Sequence, residues 1–216
     1  MHYAARLILL LSFSAIGFAA SIGVPEGMVS NIIYINQGKA SGQFGIVANC
    51  VADKTGLKFE WNEYPTRRLF IMAQNNELDM IYPVGFSQER NEFAIPSQVI
   101  FTNEDLWLYV GNKPDFSDKN LSVAVIRGSP QEESLLKMGY ENISLVKYDA
   151  ILEMLRMKRV AAVILPEKIL VGLTGSIKLY SSQVFITRQV GFYLSRAFAK
   201  RNLATINQAI DGCLSL

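Results

Sequence analysis

Histidine is all but missing from this sequence. The single histidine among the 216 residues is His2, and it sits in a segment that reads as removable. Without histidine there is no Ser-His-Asp or Cys-His catalytic set and no histidine-ligated zinc site. Charge is sparse too: charged residues make up 19% of the chain, and the net charge is +2. No basic stripe with interleaved aromatics occurs, so a nucleic acid partner is not expected. Long apolar runs are also lacking. Beyond residue 20 no stretch approaches the ~18 uninterrupted apolar residues of a membrane-spanning helix, so the mature chain should be soluble. Low-complexity segments and obvious repeats are absent, which argues against a long disordered linker. Cysteine is limited to Cys50 and Cys213. An even count permits one disulfide in an oxidising compartment. Two buried free thiols, behaving as small hydrophobes, are the alternative.

What is present begins at the N-terminus. Arg6 precedes an apolar run from Leu7 that closes on the small residues Ala19 and Ala20. A charged start, an apolar middle and a small-residue end make a secretory signal, which we assign to residues 1–20. The run is too short to span a bilayer comfortably. A membrane anchor or a buried first helix is the alternative. No cysteine lies near the cut, so a lipid anchor on cysteine is not available. The remaining residues suffice for one compact domain or two small lobes.

The pattern then alternates between strand and helix. Residues 21–24 read as a strand, 27–31 as a loop, 32–35 as a short strand or apolar turn, and 36–39 as a polar turn. Helical spacing of apolar residues runs over 44–55, and Gly56 is a natural stop. Residues 57–61 alternate as a strand, 66–75 form a helix, and 78–82 a strand. After the β-prone run 105–110 the order repeats. Residues 121–126 are a strand, and Ser129 and Pro130 open a helix over 131–138. A strand at 143–146, a helix at 150–157 and a strand at 160–165 follow. The chain closes with a strand at 189–195 and a helix at 203–213. Two β-α-β-α-β blocks argue an α/β fold of two lobes joined by a hinge, with a ligand cleft between them.

Four segments carry a resemblance. Gly42-Gln43-Phe44-Gly45 leads into the first helix. Tyr64-Pro65-Thr66-Arg67-Arg68-Leu69 opens the second. Asn76-Glu77-Leu78-Asp79-Met80-Ile81 is followed by Ser87-Gln88-Glu89-Arg90. Val125-Ile126-Arg127-Gly128-Ser129-Pro130-Gln131-Glu132 starts the second lobe. In order and spacing these resemble a bacterial extracellular solute-binding protein of family 3, similar to the polar amino-acid receptors of ABC transporters. The resemblance implies a type II periplasmic-binding fold. Each lobe would be a mixed sheet flanked by helices, and two crossover strands would join them. Lobe 1 would be residues 21–107 plus 192–216, and lobe 2 residues 108–191.

It also implies a grip. Arg90 and the helix start at Ser129 would hold a ligand carboxylate, by an arginine fork and by free helix N–H groups. Arg68, Arg127, Tyr34, Tyr82 and Phe86 fall where further ligand contacts are expected. Each has a plainer alternative: Arg90 and Arg127 as surface charges, Arg68 paired with Glu63, Ser129 as a helix cap only, the aromatics as core. Trp107 reads as hinge packing and Asp79 as structural. Two departures stand out. Tyr82-Pro83-Val84-Gly85-Phe86 lacks the Ser or Thr that amino-acid binders place before the arginine motif. Ile164-Leu165-Pro166-Glu167 lacks the acidic residue that meets an ammonium, although Glu167 is adjacent. The expected activity is therefore periplasmic capture of a small anionic or zwitterionic solute by hinge closure, without catalysis or cofactor. The expected protein is a monomer serving an ABC-type permease or a membrane sensor. Two readings stay open beside it. One is a degenerate interaction protein of the same fold. The other is a dehydratase-type enzyme using Glu167 as general acid.

Overall fold

Eleven strands and seven helices form among the described residues of this computed structural model, which are 19–28, 32–141, 143–174 and 180–215. The assigned export signal lies outside them except for Ala19 and Ala20. Those two already belong to β1 (Ala19–Pro25), and Ala20 is fully buried. Two residues of the segment assigned to the signal are thus part of the sheet. Part of the expected 27–31 loop also lies outside the described residues.

The first unit runs through β1, a small hairpin of β2 (Tyr34–Asn36) and β3 (Lys39–Ser41), α1 (Gln43–Thr55), β4 (Lys58–Tyr64), α2 (Thr66–Gln74) and β5 (Met80–Gly85). Short α3 (Gln88–Asn91) and β6 (Ala94–Pro96) lead to β7 (Phe101–Tyr109). The second unit is β8 (Val123–Ile126), α4 (Pro130–Lys137), β9 (Ile143–Val146), α5 (Tyr148–Arg156) and β10 (Ala162–Pro166). Then come α6 (Glu167–Thr174), β11 (Ser181–Ser195) and α7 (Arg196–Leu214).

One sheet carries both units in the order β4-β1-β5-β11-β7-β10-β8-β9, with β6 beside β11. Each unit places its first strand between its other two, all parallel: β1 between β4 and β5, β8 between β9 and β10. Between the units run β7 and β11, antiparallel from Tyr109 opposite Ser181 to Phe101 opposite Val190. Farther along, β11 pairs with β5 and β6, while β7 pairs with β10. The expected lobe boundaries, 107/108 and 191/192, both fall inside these two strands.

Helices cover the sheet because their apolar residues recur on one face. In α1 the buried positions are Phe44, Gly45, Ala48 and Val51; in α2 they are Leu69, Phe70 and Ala73. Gly42 precedes α1 at φ 86°, where a Cβ would stand 2.7 Å from the Ile32 carbonyl oxygen, so only glycine fits. Trp107 packs in the second unit against Phe116, Tyr140 and Phe185, and Asp79 accepts hydrogen bonds from the backbone and hydroxyl of Ser21. Asp79 is structural, as expected, whereas Trp107 belongs to the second unit's core rather than packing the hinge. Cys50 of α1 and Cys213 of α7 are disulfide-bonded across a sequence separation of 163 residues.

Closing so long a loop restricts the unfolded chain strongly. Replacing both cysteines by alanine should lower the unfolding free energy by about 3–5 kcal/mol. Urea denaturation with and without reductant measures it: reductant should shift the wild-type midpoint and leave the variant's unchanged.

Candidate ligand-binding site

A cleft opens where the two units face each other across β7 and β11. Its cavity volume is about 80 Å³, small but open on one side to solvent. The first unit contributes Pro25, Phe44 and Val84; the crossover strands contribute Asn103, Asp105 and Arg188; the second unit contributes Ser129, Tyr148 and Ile169. Its walls are mainly apolar. Burial pushes the Tyr148 phenol up to about 12, so it faces the cleft as a neutral hydroxyl.

Arg90 lines this cleft, as expected, but its fork is already in use. The side chain is buried at 1% exposure. Its Nη2 and Nε donate to Glu133 Oε1 on α4 at 3.0 and 3.2 Å, and Nη2 also donates to the Gly128 carbonyl at 3.0 Å. The guanidinium stacks on Phe70, 4.0 Å from the ring centroid. Burial pushes Arg90 below its ordinary pKa, and Glu133 draws it back up. Ser87, the cap of α3, donates its hydroxyl to the other Glu133 oxygen at 3.1 Å. The Glu133 carboxylate therefore occupies the arginine fork from the opposite unit.

The helix half of the grip is capped locally. Ser129 caps α4 by accepting from the Glu132 N–H at 3.2 Å, and Glu132 reaches back to accept from the Gly128 N–H. This is a variant of the capping box. Glu132 and Glu133 both sit in the first turn, where acid complements the helix dipole. The local rule explains why acids stand there; only packing decides that Glu133 turns across the cleft. Gly128 lies at φ 73°, and a Cβ on it would be 2.8 Å from the Arg67 backbone nitrogen, which shows how closely the units approach.

At the hinge, Arg188 of β11 pairs with Asp105 of β7 through Nε and Oδ2 at 2.5 Å, with side-chain exposures of 9% and 2%. Gln131 donates to the other Asp105 oxygen at 2.6 Å. Arg188 Nη2 donates to the Pro130 carbonyl and to the Ser134 hydroxyl. Burial pushes the Asp105 carboxyl above the usual range, and Arg188 and then Gln131 oppose that shift. Two exposed pairs, Glu89–Lys137 and Glu26–Lys147, also cross between the units.

The remaining expected contacts lie elsewhere. Arg68 is exposed on α2 with its guanidinium over Tyr64, because its helix turns Leu69 and Phe70 inward instead. Arg127 is exposed, since the four residues before it fill the buried strand. Tyr34 stands 40% exposed on the β2–β3 hairpin, and Phe44 supplies the aromatic wall. Tyr82 is core: it stacks on Phe192 and its hydroxyl donates to the Phe44 carbonyl at 3.1 Å. Phe86 packs edge-on to Tyr193 and lines a separate shallow depression. Glu167 likewise lines a different depression, beside Ile32 and Gln43. Glu133, Asp105, Arg188 and Lys168 escape a sequence reading. Glu133 had a visible signal, its place in the first turn of α4; the others are ordinary strand or helix residues until the chain folds. Among the described residues no cluster of histidine, cysteine, aspartate or glutamate is placed to hold a metal ion, and no helix is long and apolar enough to cross a membrane.

No protein-family model and no curated protein matches the sequence. Solved structures do match. One is ArtJ, an arginine-, lysine- and histidine-binding protein of Geobacillus stearothermophilus: 18% identity over 91% of this chain and 90% of that one, TM-score 0.75. This chain has the type II periplasmic-binding-protein fold. Two further matches fit the same type II fold. A histidine kinase sensor domain similar to periplasmic binding proteins is 14% identical over 90% of each chain, TM-score 0.76. An ancestral amino acid-binding protein, described as a precursor of cyclohexadienyl dehydratase, is 14% identical over 91% of this chain and 92% of that one, TM-score 0.74.

Removing either cross-unit carboxylate strands a buried guanidinium. Asp105→Ala leaves Arg188, at 9% side-chain exposure, without its acid, and Glu133→Ala leaves Arg90, at 2%, without its own. Each should cost about 3–5 kcal/mol. Denaturant melts of the two variants check it, and a loss below about 1 kcal/mol in either contradicts the pairing.

Proposed function

We propose that this protein is an exported solute-binding protein that captures a small solute between its two lobes. The observation that carries the reading is the central cleft, whose walls come from both units and meet at two shared strands. A solute seated there touches both lobes at once and therefore favours the closed arrangement over the open one. The solute is a small anionic or zwitterionic molecule, handed to an ABC-type permease or presented to a membrane sensor. An export signal ending ahead of β1 would deliver a monomeric mature chain to the periplasm, without a lipid anchor. Capture requires no reaction.

One observation favours a second reading. Arg90 and the α4 N-terminus already hold the protein's own oxygens, so the lobes close without a solute. On that reading the chain has given up ligand binding and works through surface contacts.

Thermal-shift screening of the mature protein against amino acids, mono- and dicarboxylates and other small metabolites separates the two. A solute that binds only the native state stabilises it by about 2.7 kcal/mol at a hundredfold excess over Kd. At least one class should raise the melting temperature. No shift with any compound would establish the second reading instead.

A further inference from the structure

The charged groups of the cleft can be paired off, and one is left over. Arg90 is held by Glu133 and Arg188 by Asp105. Lys168 of α6 lines both this cleft and the neighbouring depression that holds Glu167, and it has no ion-pair partner among the described residues. Its ammonium lies 5.4 Å from the ring centroid of Phe101, another wall residue. Three cations against two carboxylates leave the site one positive charge in excess. No uncompensated acid is present to meet a ligand ammonium, since Asp105 is bonded by both Arg188 and Gln131.

The rest of the wall is apolar: Phe44, Val84, Phe101, Ile169 and Val190 face the space. Such a wall rewards an apolar body, while a lone cation selects an anionic head. An α-amino acid would bring a carboxylate to an arginine that already has one, and an ammonium to a site with no free acid. Its unpaired ammonium would be desolvated without return.

We propose that the solute is a small, mainly apolar monocarboxylate whose acid group faces Lys168, with Glu133 serving at Arg90 as the carboxylate the solute does not supply there. This rests on the solute-binding reading above and names its ligand class.

Calorimetry and thermal shift with benzoate, phenylacetate and isovalerate test it, beside benzamide, phenylalanine, leucine, glutamate and arginine. At least one monocarboxylate should bind wild-type protein more tightly than benzamide and every amino acid. Lys168→Met should weaken it about tenfold or more, the loss of one hydrogen bond to a charged group. Lys168→Arg should restore much of the affinity. The melting temperature of the unliganded Lys168→Met protein should stay near wild type, because Lys168 holds no ion pair in the fold. An amino acid that binds as tightly as the best monocarboxylate, or monocarboxylate affinity unchanged by Lys168→Met, overturns the assignment and leaves the solute-binding reading standing. If no compound in the series binds, the monocarboxylate assignment is overturned, and the wider thermal-shift screen decides the solute-binding reading.

Discussion

Both halves of this molecule hang on one antiparallel ladder, β7 against β11, and on the buried Asp105–Arg188 pair that sits within it. The ladder is where the chain crosses between units and returns, so any change in their relation must bend these two strands. Burying an ion pair costs desolvation that only good geometry repays. Here Gln131, the Pro130 carbonyl and the Ser134 hydroxyl complete the pair's hydrogen bonds. All three come from the start of α4, so the hinge pair also docks the second unit's first helix. The position of Glu133 follows from that docking, and with it the closing of Arg90's fork.

The same helix start explains how the two units are bridged. The resemblance implied an anion held by an arginine from one side and a helix N-terminus from the other. In this chain Glu133 answers Arg90, Ser129 answers the Glu132 N–H of α4, and Glu132 answers the Gly128 N–H just ahead of the helix. A buried guanidinium without a carboxylate would be costly, so the internal acid stabilises this arrangement of the two units. Under the proposed function, a solute then adds its differential affinity to an equilibrium already tilted toward closure. Selectivity shifts to what remains unsatisfied, an apolar wall and Lys168.

Most of the element order was legible because it rests on local signals. The period of α1 and α2, the left-handed Gly56 and the Ser129–Pro130 start all act within a few residues, and these helices lie where the pattern put them. Misreadings came where pairing is non-local. β11 runs for 15 residues from Ser181, yet its first half, rich in Ser, Gln and Arg, shows no clean alternation and becomes a strand only because β7 lies beside it. α7 starts at Arg196 rather than 203, because Ser195 caps it by accepting from the Phe198 N–H. α6 follows β10 without a loop, so no turn residues announced it.

By itself, then, the sequence determined the two β-α-β-α-β units, the α/β class, the lone pair of cysteines and the small-residue helix starts, since propensity, period and capping act over a turn or two. The family resemblance also marked Arg90 and Ser129 as cleft residues. Only the tertiary structure decided that Cys50 meets Cys213, that Arg68, Arg127, Tyr34, Tyr82 and Phe86 stand away from the cleft, and that Glu133 reaches Arg90. A side chain's partner depends on which distant segment packs against it, and the partners here are 43 residues apart for Arg90 and Glu133 and 83 for Asp105 and Arg188.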